Sequence, residues 1–151
     1  MILFKRVRDP FGWFSNMSPF PVGDYPTAEA FFQAARFDDP AIREAIRACK
    51  SPMAAKMTAK AHADKMVIRP RSTEDLELMR HVVRMKVEQH PALRGWLLAT
   101  GNEEIVEDVS ARQNESGLFW GAVPTPSGLR GANWLGRIWM DLRDELRGPK
   151  P

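Results

Sequence analysis

The chain has 151 residues, a length that predicts one domain with a sizeable hydrophobic core. Hydrophobic residues at 44% and charged residues at 27% are ordinary for a soluble globular protein, and no apolar run reaches the length of a membrane span. A net charge of +3 is compatible with an anionic ligand but too small to indicate nucleic-acid binding by itself. The single cysteine excludes an internal disulfide, and the short, charged N-terminus is not typical of a signal peptide, so we expect a cytoplasmic protein.

The N-terminal part of the sequence leads from a short strand to a clearly marked helix. Apolar residues at 2–4 predict the strand, and residues 9–21 hold too many Pro, Gly and Asn for a regular element. Because that segment also carries several aromatic side chains, it is typical of a loop that covers a core edge or lines a pocket. After a turn at 22–25, Thr27 predicts a helix from Ala28, since its hydroxyl can cap the first backbone N–H groups.

This first helix carries three polar residues on one stripe. Residues four and seven positions apart share a helix face, so Glu29, Gln33 and Arg36 lie together, and Glu29 falls in the first turn, where the helix dipole favours a negative charge. The ordinary interpretation is a carboxylate on a solvated face, although two neighbouring phenylalanines favour burial of the stripe's edge. The residues on the opposite side can enter a core: Ala28, Phe31, Phe32 and Ala35.

Cap residues predict four more helices before residue 101. The pairs at 39–40 and 51–52 each place a capping residue before a proline, which is a typical helix start. Thr73, followed by two acidic residues, opens the longest helix, and Pro91 starts the next one, which ends at a glycine C-cap. The segment at 65–70, which precedes the longest helix, is predicted to be extended.

Apolar spacing predicts which faces of these helices are buried. Lys56 and Lys60, four residues apart, are typical of a solvated face. The expected core positions are Ile42, Ala45 and Ile46 in one helix, Met53, Met57 and Ala61 in the next, Leu76, Met79, Val83 and Val87 in the longest, widened by Leu78, Val82 and Met85, and Leu93, Trp96 and Leu97 in the last.

The C-terminal third combines extended segments, loops and one long helix. Apolar runs at 105–109 and 118–123 predict two extended segments, with loops at 110–117 and 124–131. Asn133 caps a final helix whose apolar positions recur at helical spacing from Leu135 to Leu146. With no repeats and no dividing linker, we predict a mostly helical α+β fold with a small β-sheet. It forms a single domain at 1–147 with a frayed tail at 148–151.

Searches for common catalytic motifs find no candidate. The sequence has no phosphate-binding loop of the Walker type, no dinucleotide-binding glycine pattern and no serine nucleophile elbow. His62, His81 and His90 lack the spacing of zinc ligands, so we expect no metal and no cofactor.

Ordered segments of the chain nevertheless resemble one known family. They match, in order from Gly12 to Leu146, the motifs of the YbiA-like family, also called NADAR for its link to NAD and ADP-ribose. The first is Gly-Trp-Phe-Ser-Asn, similar to the family's G-x-F-S-N, and the second is Tyr-Pro-Thr-Ala-Glu-Ala-Phe-Phe-Gln-Ala, similar to W-P-T-x-E-H-Y-x-Q-A. The full set lies at residues 12–16, 25–34, 51–57, 85–90, 97–101, 105–107, 119–121, 133–140 and 143–146.

The resemblance implies N-glycosidase chemistry. Family members act on a ribose attached to nitrogen, either in phosphoribosylated early intermediates of riboflavin synthesis or in ADP-ribose joined to guanine. Cleavage develops positive charge at the anomeric carbon, which a carboxylate stabilises, so Glu29 is the first candidate and Glu107 the second. A lysine could instead attack that carbon as an amine and pass through a Schiff base. Lys86 and Lys56 both match family segments, and the sequence does not choose between them.

The resemblance also implies a set of substrate-binding residues. Arg36 is expected to bind phosphate through its fixed fork of donors, and Trp120 and Phe14 to stack on the base, with core packing as the alternative for Phe14. The remaining candidates come from the same family segments: Ser15, Asn16, Gln33, Gly121 and Asn133.

Departures from the family pattern keep other functions open. The histidine that follows the family's glutamate is Ala30 here, and neither the family's aspartate before W-G nor its tryptophan between the third and fourth helices has a match. The first hypothesis is an enzyme, the second a non-catalytic module that binds ADP-ribose or NAD, and the third a nucleic-acid binder that recognises an ADP-ribosylated base. The expected partner is accordingly a small-molecule nucleotide or an ADP-ribosylated base, with no membrane and no identified protein partner.

Overall fold

Helices dominate the structure, a computed structural model that describes residues 1–149. The predicted α+β class, mostly helical with small sheets, is confirmed. The chain divides into two compact units: a helical unit at Asn16–His90, and a mixed unit formed by Met1–Ser15 and the chain from Pro91 onward. That 1–147 form a single domain stays a prediction. Of the predicted tail at 148–151, Lys150 and Pro151 lie outside the described residues. Within 1–149 no helix is long and apolar enough to cross a membrane.

The helical unit contains four helices that begin where their caps predict. They are α1 at Ala28–Ala35, α2 at Pro40–Arg47, α3 at Pro52–Ala61 and α4 at Thr73–Gln89. Thr27, Asp39 and Ser51 each accept a hydrogen bond from a backbone N–H of the first turn, which confirms three predicted caps. Residues 63–65 form a 3-10 turn. The segment at 65–70, predicted to be extended, joins no strand of the described chain.

Small side chains set the packing of this unit. Helix α1 packs against α2, α3 and α4, and the buried positions of α3 are Ala55 and Ala59. The prediction that Met53 and Met57 enter the core is wrong, because both are 54% exposed, and the predicted core positions Ala45 and Ala61 are exposed as well. The alanine face lets α1 and α3 approach closely, and the larger methionines are left on the outer face. The remaining members of this core cluster are Ala30, Ala34, Phe37, Ile42 and Ile46.

Helix α4 begins at Thr73, as predicted, and buries two charged side chains. Ser72, not Thr73, is the N-cap, and its hydroxyl accepts from the backbone N–H of Asp75. The inner stripe includes Asp75 and Lys86 beside Met79, Val82, Val83 and Val87, while Leu76, Leu78 and Met85 are only half-buried. The spacing of apolar residues predicted the apolar members of this stripe but not its two charged members.

The mixed unit combines two short sheets with three helices. Strand β1 at Ile2–Phe4 pairs in parallel with β2 at Ile105–Glu107, and β3 at Val123–Thr125 forms an antiparallel hairpin with β4 at Gly128–Arg130. The helices are α5 at Pro91–Ala99, α6 at Glu115–Trp120 and α7 at Trp134–Arg147. Three predictions are wrong: the end of the loop at 110–117 and the start of the segment 118–123 are helical, and the loop at 124–131 contains a hairpin. Asn114 explains the first two, because its side chain caps α6 through the N–H of Gly117.

Aromatic side chains form the centre of the mixed unit. Trp139 of α7 donates a hydrogen bond from Nε1 to the carbonyl of Phe14 at 3.1 Å and meets the Phe14 ring edge-on at 5.0 Å between centroids. Trp13 stacks on Phe14 at 3.8 Å and also meets Trp139 edge-on at 5.8 Å. Trp96, predicted to be buried, touches Trp13 but is 47% exposed. The aromatic-rich segment after β1 therefore covers this core.

The two neighbouring cap candidates of α4 provide a direct stability test. Ser72→Ala removes the hydroxyl that accepts from Asp75 N at 3.1 Å, so we expect a loss of about 1 kcal/mol and a melting temperature lower by about 2–4 °C. Thr73→Ala is the matched control and changes stability by less than about 0.5 kcal/mol. Thermal unfolding by circular dichroism measures both, and a larger loss for the Thr73 variant would contradict the observed cap.

Candidate active site

The polar stripe of α1 is buried, contrary to the ordinary interpretation of a solvated face. Glu29, Gln33 and Arg36 are each at most 8% exposed. Gln33 donates from Nε2 to Glu29 Oε1 at 2.8 Å, and its own Oε1 accepts from Arg36 Nη1 at 3.2 Å. The spacing predicted from the sequence thus becomes a continuous hydrogen-bonded row along the helix.

The row continues into α4 through a buried ion pair. Arg36 donates from Nε and Nη2 to the two carboxylate oxygens of Asp75, at 2.9 and 2.6 Å. Asp75 is fully buried and also accepts from the backbone N–H of Arg71 at 2.8 Å. Three donors of Arg36 are therefore used within the helical unit. The expected binding of phosphate by Arg36 stays a prediction, and a ligand would have to compete with these bonds.

Lys86 is a fully buried lysine on the inner stripe of α4. Its Nζ donates to Ser18 Oγ at 2.9 Å and lies 5.4 Å from the centre of the Phe20 ring. Burial lowers the pKa of Lys86 to about 7, because the charged form loses its hydration. Lys56, the other lysine candidate, is only half-buried on α3. A substantial neutral fraction at physiological pH is what an amine nucleophile requires, so the geometry favours Lys86.

The segment at residues 16–18 connects both candidates. The carbonyl of Asn16 accepts from the backbone N–H of Glu29 at 3.0 Å, and Asn16 Nδ2 donates to Met79 Sδ at 3.2 Å. Two residues later, the hydroxyl of Ser18 accepts the hydrogen bond from Lys86 Nζ. Asn16 Oδ1 is buried and has no hydrogen-bond partner within residues 1–149, so it is an acceptor open to a ligand hydroxyl. The family resemblance included Asn16 among the expected substrate-binding residues, but the sequence gave no reason to select Ser18.

Helices α1 and α4 run in opposite directions. Arg36, just after the end of α1, meets Asp75 in the first turn of α4, whereas Phe31, nearer the start of α1, lies beside His81, further along α4. This order of contacts is that of an antiparallel helix pair.

The antiparallel pairing brings the carboxylate and the amine to the same end of the pair. Glu29 lies about 10.5 Å back along α1 from Arg36, and Lys86 lies about 16.5 Å forward along α4 from Asp75. Helical side chains lean towards the N-terminus, which shortens the axial offset that the long Lys86 side chain must span. Glu29 and Lys86 therefore lie towards the same end of the helix pair, where Asn16 contacts the backbone of Glu29 and Ser18 contacts the amine of Lys86.

In the mixed unit, Asn133 binds backbone. Its Nδ2 donates to the carbonyl of Ile105 at 2.9 Å, and its Oδ1 accepts from the N–H of Glu107 at 3.1 Å, so it fastens α7 to strand β2. Asn133 occupies the predicted cap position, but with a left-handed φ of 54° and no side-chain cap bond. A Cβ on Gly136 would lie 2.1 Å from the carbonyl oxygen of Ile105, so the same contact requires glycine.

Two other candidates of the mixed unit, Glu107 and Gly121, meet at the end of β2. Glu107 keeps 15% of its side chain exposed and has Arg112 at 3.6 Å. A Cβ on Gly121 would lie 2.6 Å from the carbonyl oxygen of Glu107, so this glycine permits the approach of two chain segments. Trp120 is 9% exposed and Ser15 is buried.

Phe14 is fully buried and packs against Trp13 and Trp139, so core packing accounts for it and its ring is not open to a base. A separate cleft of about 290 Å³ in this unit is lined by Glu104, Leu129, Gly131, Ala132, Asn133, Arg137 and Met140. In the described part of the chain, no three His, Cys, Asp or Glu side chains group as metal ligands.

Comparison with known proteins finds the same family along nearly the whole chain. The model of the NADAR domain matches residues 3–147. The N-glycosidase YbiA of Escherichia coli K12 is 34% identical over 150 residues, which cover 97% of this chain and 88% of that protein. The N-glycosidase Npun_R5314 of Nostoc punctiforme is 31% identical over 153 residues, covering 97% of this chain and 92% of that protein.

A longer plant protein and a solved structure are also similar. The chloroplastic riboflavin biosynthesis protein PYRR of Zea mays is 31% identical over 169 residues, which cover all of this chain but only 26% of that protein. The NMR structure of E. coli YbiA has a TM-score of 0.76 to this chain at 33% identity, covering 97% of this chain and 85% of that one. Fold and sequence thus agree on the same relatives.

Burial of Lys86 makes the stability of the folded chain depend on pH. Its pKa is about 7 in the folded chain, against 10.5 for an unperturbed lysine. Between these values the unfolded chain binds a proton that the folded chain does not, so the free energy of unfolding rises with pH by up to about 1.4 kcal/mol per unit. Below the lower value both states carry the proton, and the full penalty of the buried charge remains.

Urea unfolding at a series of pH values, on the parent and two variants, measures this dependence. Lys86→Met removes the titrating group, so we expect it to lose this slope and to be at least as stable as the parent near neutral pH. Lys56→Met is the matched control and keeps the parental slope. An unchanged slope in the Lys86 variant would show that another group titrates.

Proposed function

The chain belongs to the NADAR family, and from this premise we propose that it is an N-glycosidase that cleaves the bond between a ribose and a base nitrogen. The observation that carries the proposal is the buried Lys86, whose lowered pKa leaves much of the amine neutral at physiological pH. A module that only binds ADP-ribose has no use for a buried lysine without its full charge. We therefore prefer the enzyme to the binding module.

Glu29 is the proposed electrostatic catalyst. As the bond to the base breaks, positive charge develops at the anomeric carbon of the ribose, and a carboxylate facing that carbon stabilises it. Glu29 suits this role because it is buried at the start of α1 and its Oε1 already accepts from Gln33. Glu107 is the second candidate, on the mixed unit.

Lys86 is the proposed nucleophile. The lone pair of Nζ attacks the anomeric carbon, the carbon–nitrogen bond to the base breaks, and the base leaves with that electron pair and a proton from the amine. The ring carbon–oxygen bond then opens as an imine forms between Nζ and the same carbon, and the ring oxygen takes the second amine proton. Water hydrolyses the imine, which releases the open-chain sugar and restores the amine.

The substrate is proposed to be a nucleotide with a phosphorylated ribose. The names of two kinds of relative, N-glycosidase and riboflavin biosynthesis protein, favour the phosphoribosylated early intermediates of riboflavin synthesis. ADP-ribose attached to guanine, free or in nucleic acid, is the second candidate. Asn16 Oδ1, buried and unpartnered within the described chain, is proposed to accept a hydrogen bond from a ribose hydroxyl.

Release of free base is the primary test. The parent is incubated separately with the phosphoribosylated early intermediates of riboflavin synthesis and with ADP-ribosylated guanosine, and the products are separated by chromatography. We expect the parent to release free base from one of these substrates. We expect the Glu29→Gln variant to release base on the order of 100-fold or more slowly, and to melt within a few degrees of the parent. Binding without release from either substrate would favour the module. Near-parental turnover in the Glu29 variant would move the assignment to Glu107.

Trapping with borohydride tests the nucleophile. Reduction of the imine during turnover leaves the sugar on the lysine as a stable secondary amine, and we expect intact mass and peptide mapping to place it on Lys86. Lys86→Met should trap nothing, whereas Lys56→Met traps as the parent does. Adduct at Lys56, or full turnover by the Lys86 variant, would contradict the assignment.

The rate should also follow the protonation of this amine. Because only the neutral form attacks, we expect the turnover of the parent to rise with pH and level off above about 7, the pKa of Lys86. Initial rates of base release across the neutral range measure this, and a rate that falls over the same range would argue against an amine nucleophile.

A further inference from the structure

A buried polar row links Asp75 on α4 to Glu29 on α1. Asp75 binds Arg36 through both carboxylate oxygens, Arg36 Nη1 donates to Gln33, and Gln33 donates to Glu29. We propose that Asp75 and Arg36 are positioning residues: through Gln33 they fix the orientation of the Glu29 carboxylate. The inference rests on the proposed function in taking Glu29 as the catalytic carboxylate.

The donor and acceptor types determine the direction of the row. A carboxylate only accepts and a guanidinium only donates, so Arg36 must meet the carbonyl oxygen of the Gln33 amide. The other end of that amide is then the NH2 group, which faces Glu29 Oε1 at 2.8 Å. Without Arg36, the Glu29 carboxylate alone would favour this orientation of the amide. The guanidinium adds a second contact that selects the same orientation of Gln33.

Asp75 keeps the guanidinium in place. Its two bonds to Arg36, at 2.9 and 2.6 Å, have the planar fork geometry that is specific to arginine and a carboxylate. Asp75 itself is fully buried and is held by the N–H of Arg71, and the guanidinium lies 4.2 Å from the centre of the Phe32 ring. The base of the row is thus rigid on each side.

The row leaves one carboxylate oxygen available for chemistry. Gln33 uses Oε1 of Glu29, while Oε2 receives no hydrogen bond from any residue in the range 1–149. Catalysis by a carboxylate depends on its being oriented before the charge develops. The row would supply that orientation from a residue 46 positions further along the chain, on a different helix.

A purely structural ion pair is the competing explanation, and the test must separate the two. Removing one partner alone would leave a buried charge and could unfold the chain, so both are replaced, as Arg36→Met with Asp75→Leu. Glu44→Met with Arg47→Met is the matched control, because it removes the exposed ion pair of α2. If the Arg36–Asp75 pair is purely structural, both double variants should change only the stability of the chain and leave kcat unaltered.

Kinetics of base release give the first measurement. We expect the Arg36/Asp75 double variant to melt within a few degrees of the parent and to lose on the order of 10- to 100-fold in kcat, with KM nearly unchanged. The Glu44/Arg47 variant keeps the parental kcat. Gln33→Met should lose a similar factor alone and little more when added to the Arg36/Asp75 variant, because both changes interrupt one row. A parental kcat in the Arg36/Asp75 variant would overturn the inference.

The side-chain amide of Gln33 gives a measurement that does not need activity. In a nitrogen-15 NMR spectrum we expect its two amide protons to be well separated in the parent and the Glu44/Arg47 variant, and to move towards the values of a free glutamine in the Arg36/Asp75 variant. Unchanged Gln33 signals there would overturn the inference. If the parent itself releases no base, the proposed function fails, and these signals alone decide whether Arg36 and Asp75 orient Gln33.

Discussion

The helical unit depends on the buried ion pair between Arg36 and Asp75. It joins the end of α1 to the start of α4, and in doing so sets the antiparallel register of two helices. Taking both charges out of water carries a large desolvation penalty, so such a pair adds little net stability and more often fixes one arrangement among several. Here the arrangement it fixes is the one that directs Glu29 and Lys86 to the same end of the helix pair.

The proposed active site is built from groups that oppose stability. Lys86 is fully buried with a lowered pKa, and Asn16 holds a buried oxygen without a partner in the described chain. The folded chain would be more stable with an apolar side chain of similar size at each of these two positions. A fold retains such groups where they are needed for chemistry or binding, which is the common trade between stability and activity.

In the mixed unit, several family-motif residues hold backbone together. Asn133 fastens strand β2, and Gly136 and Gly121 allow segments to approach where a Cβ would clash. Phe14 lies in the aromatic core instead of facing a ligand. A sequence motif therefore marks positions that the fold cannot change freely, and only the contacts distinguish a structural residue from one that meets the substrate.

The sequence by itself determined the start of each described α-helix except α6, the α+β class and the polar stripe of α1, because caps and helical spacing act within a few residues. It could not determine which stripe is buried or how helices pair, which are decided by contacts between distant segments. It therefore misplaced Met53 and Met57, did not choose between Lys56 and Lys86, and gave no sign of Asp75. The tertiary structure decided these, since burial gives Lys86 its lowered pKa and the packing of α4 on α1 gives Arg36 its partner.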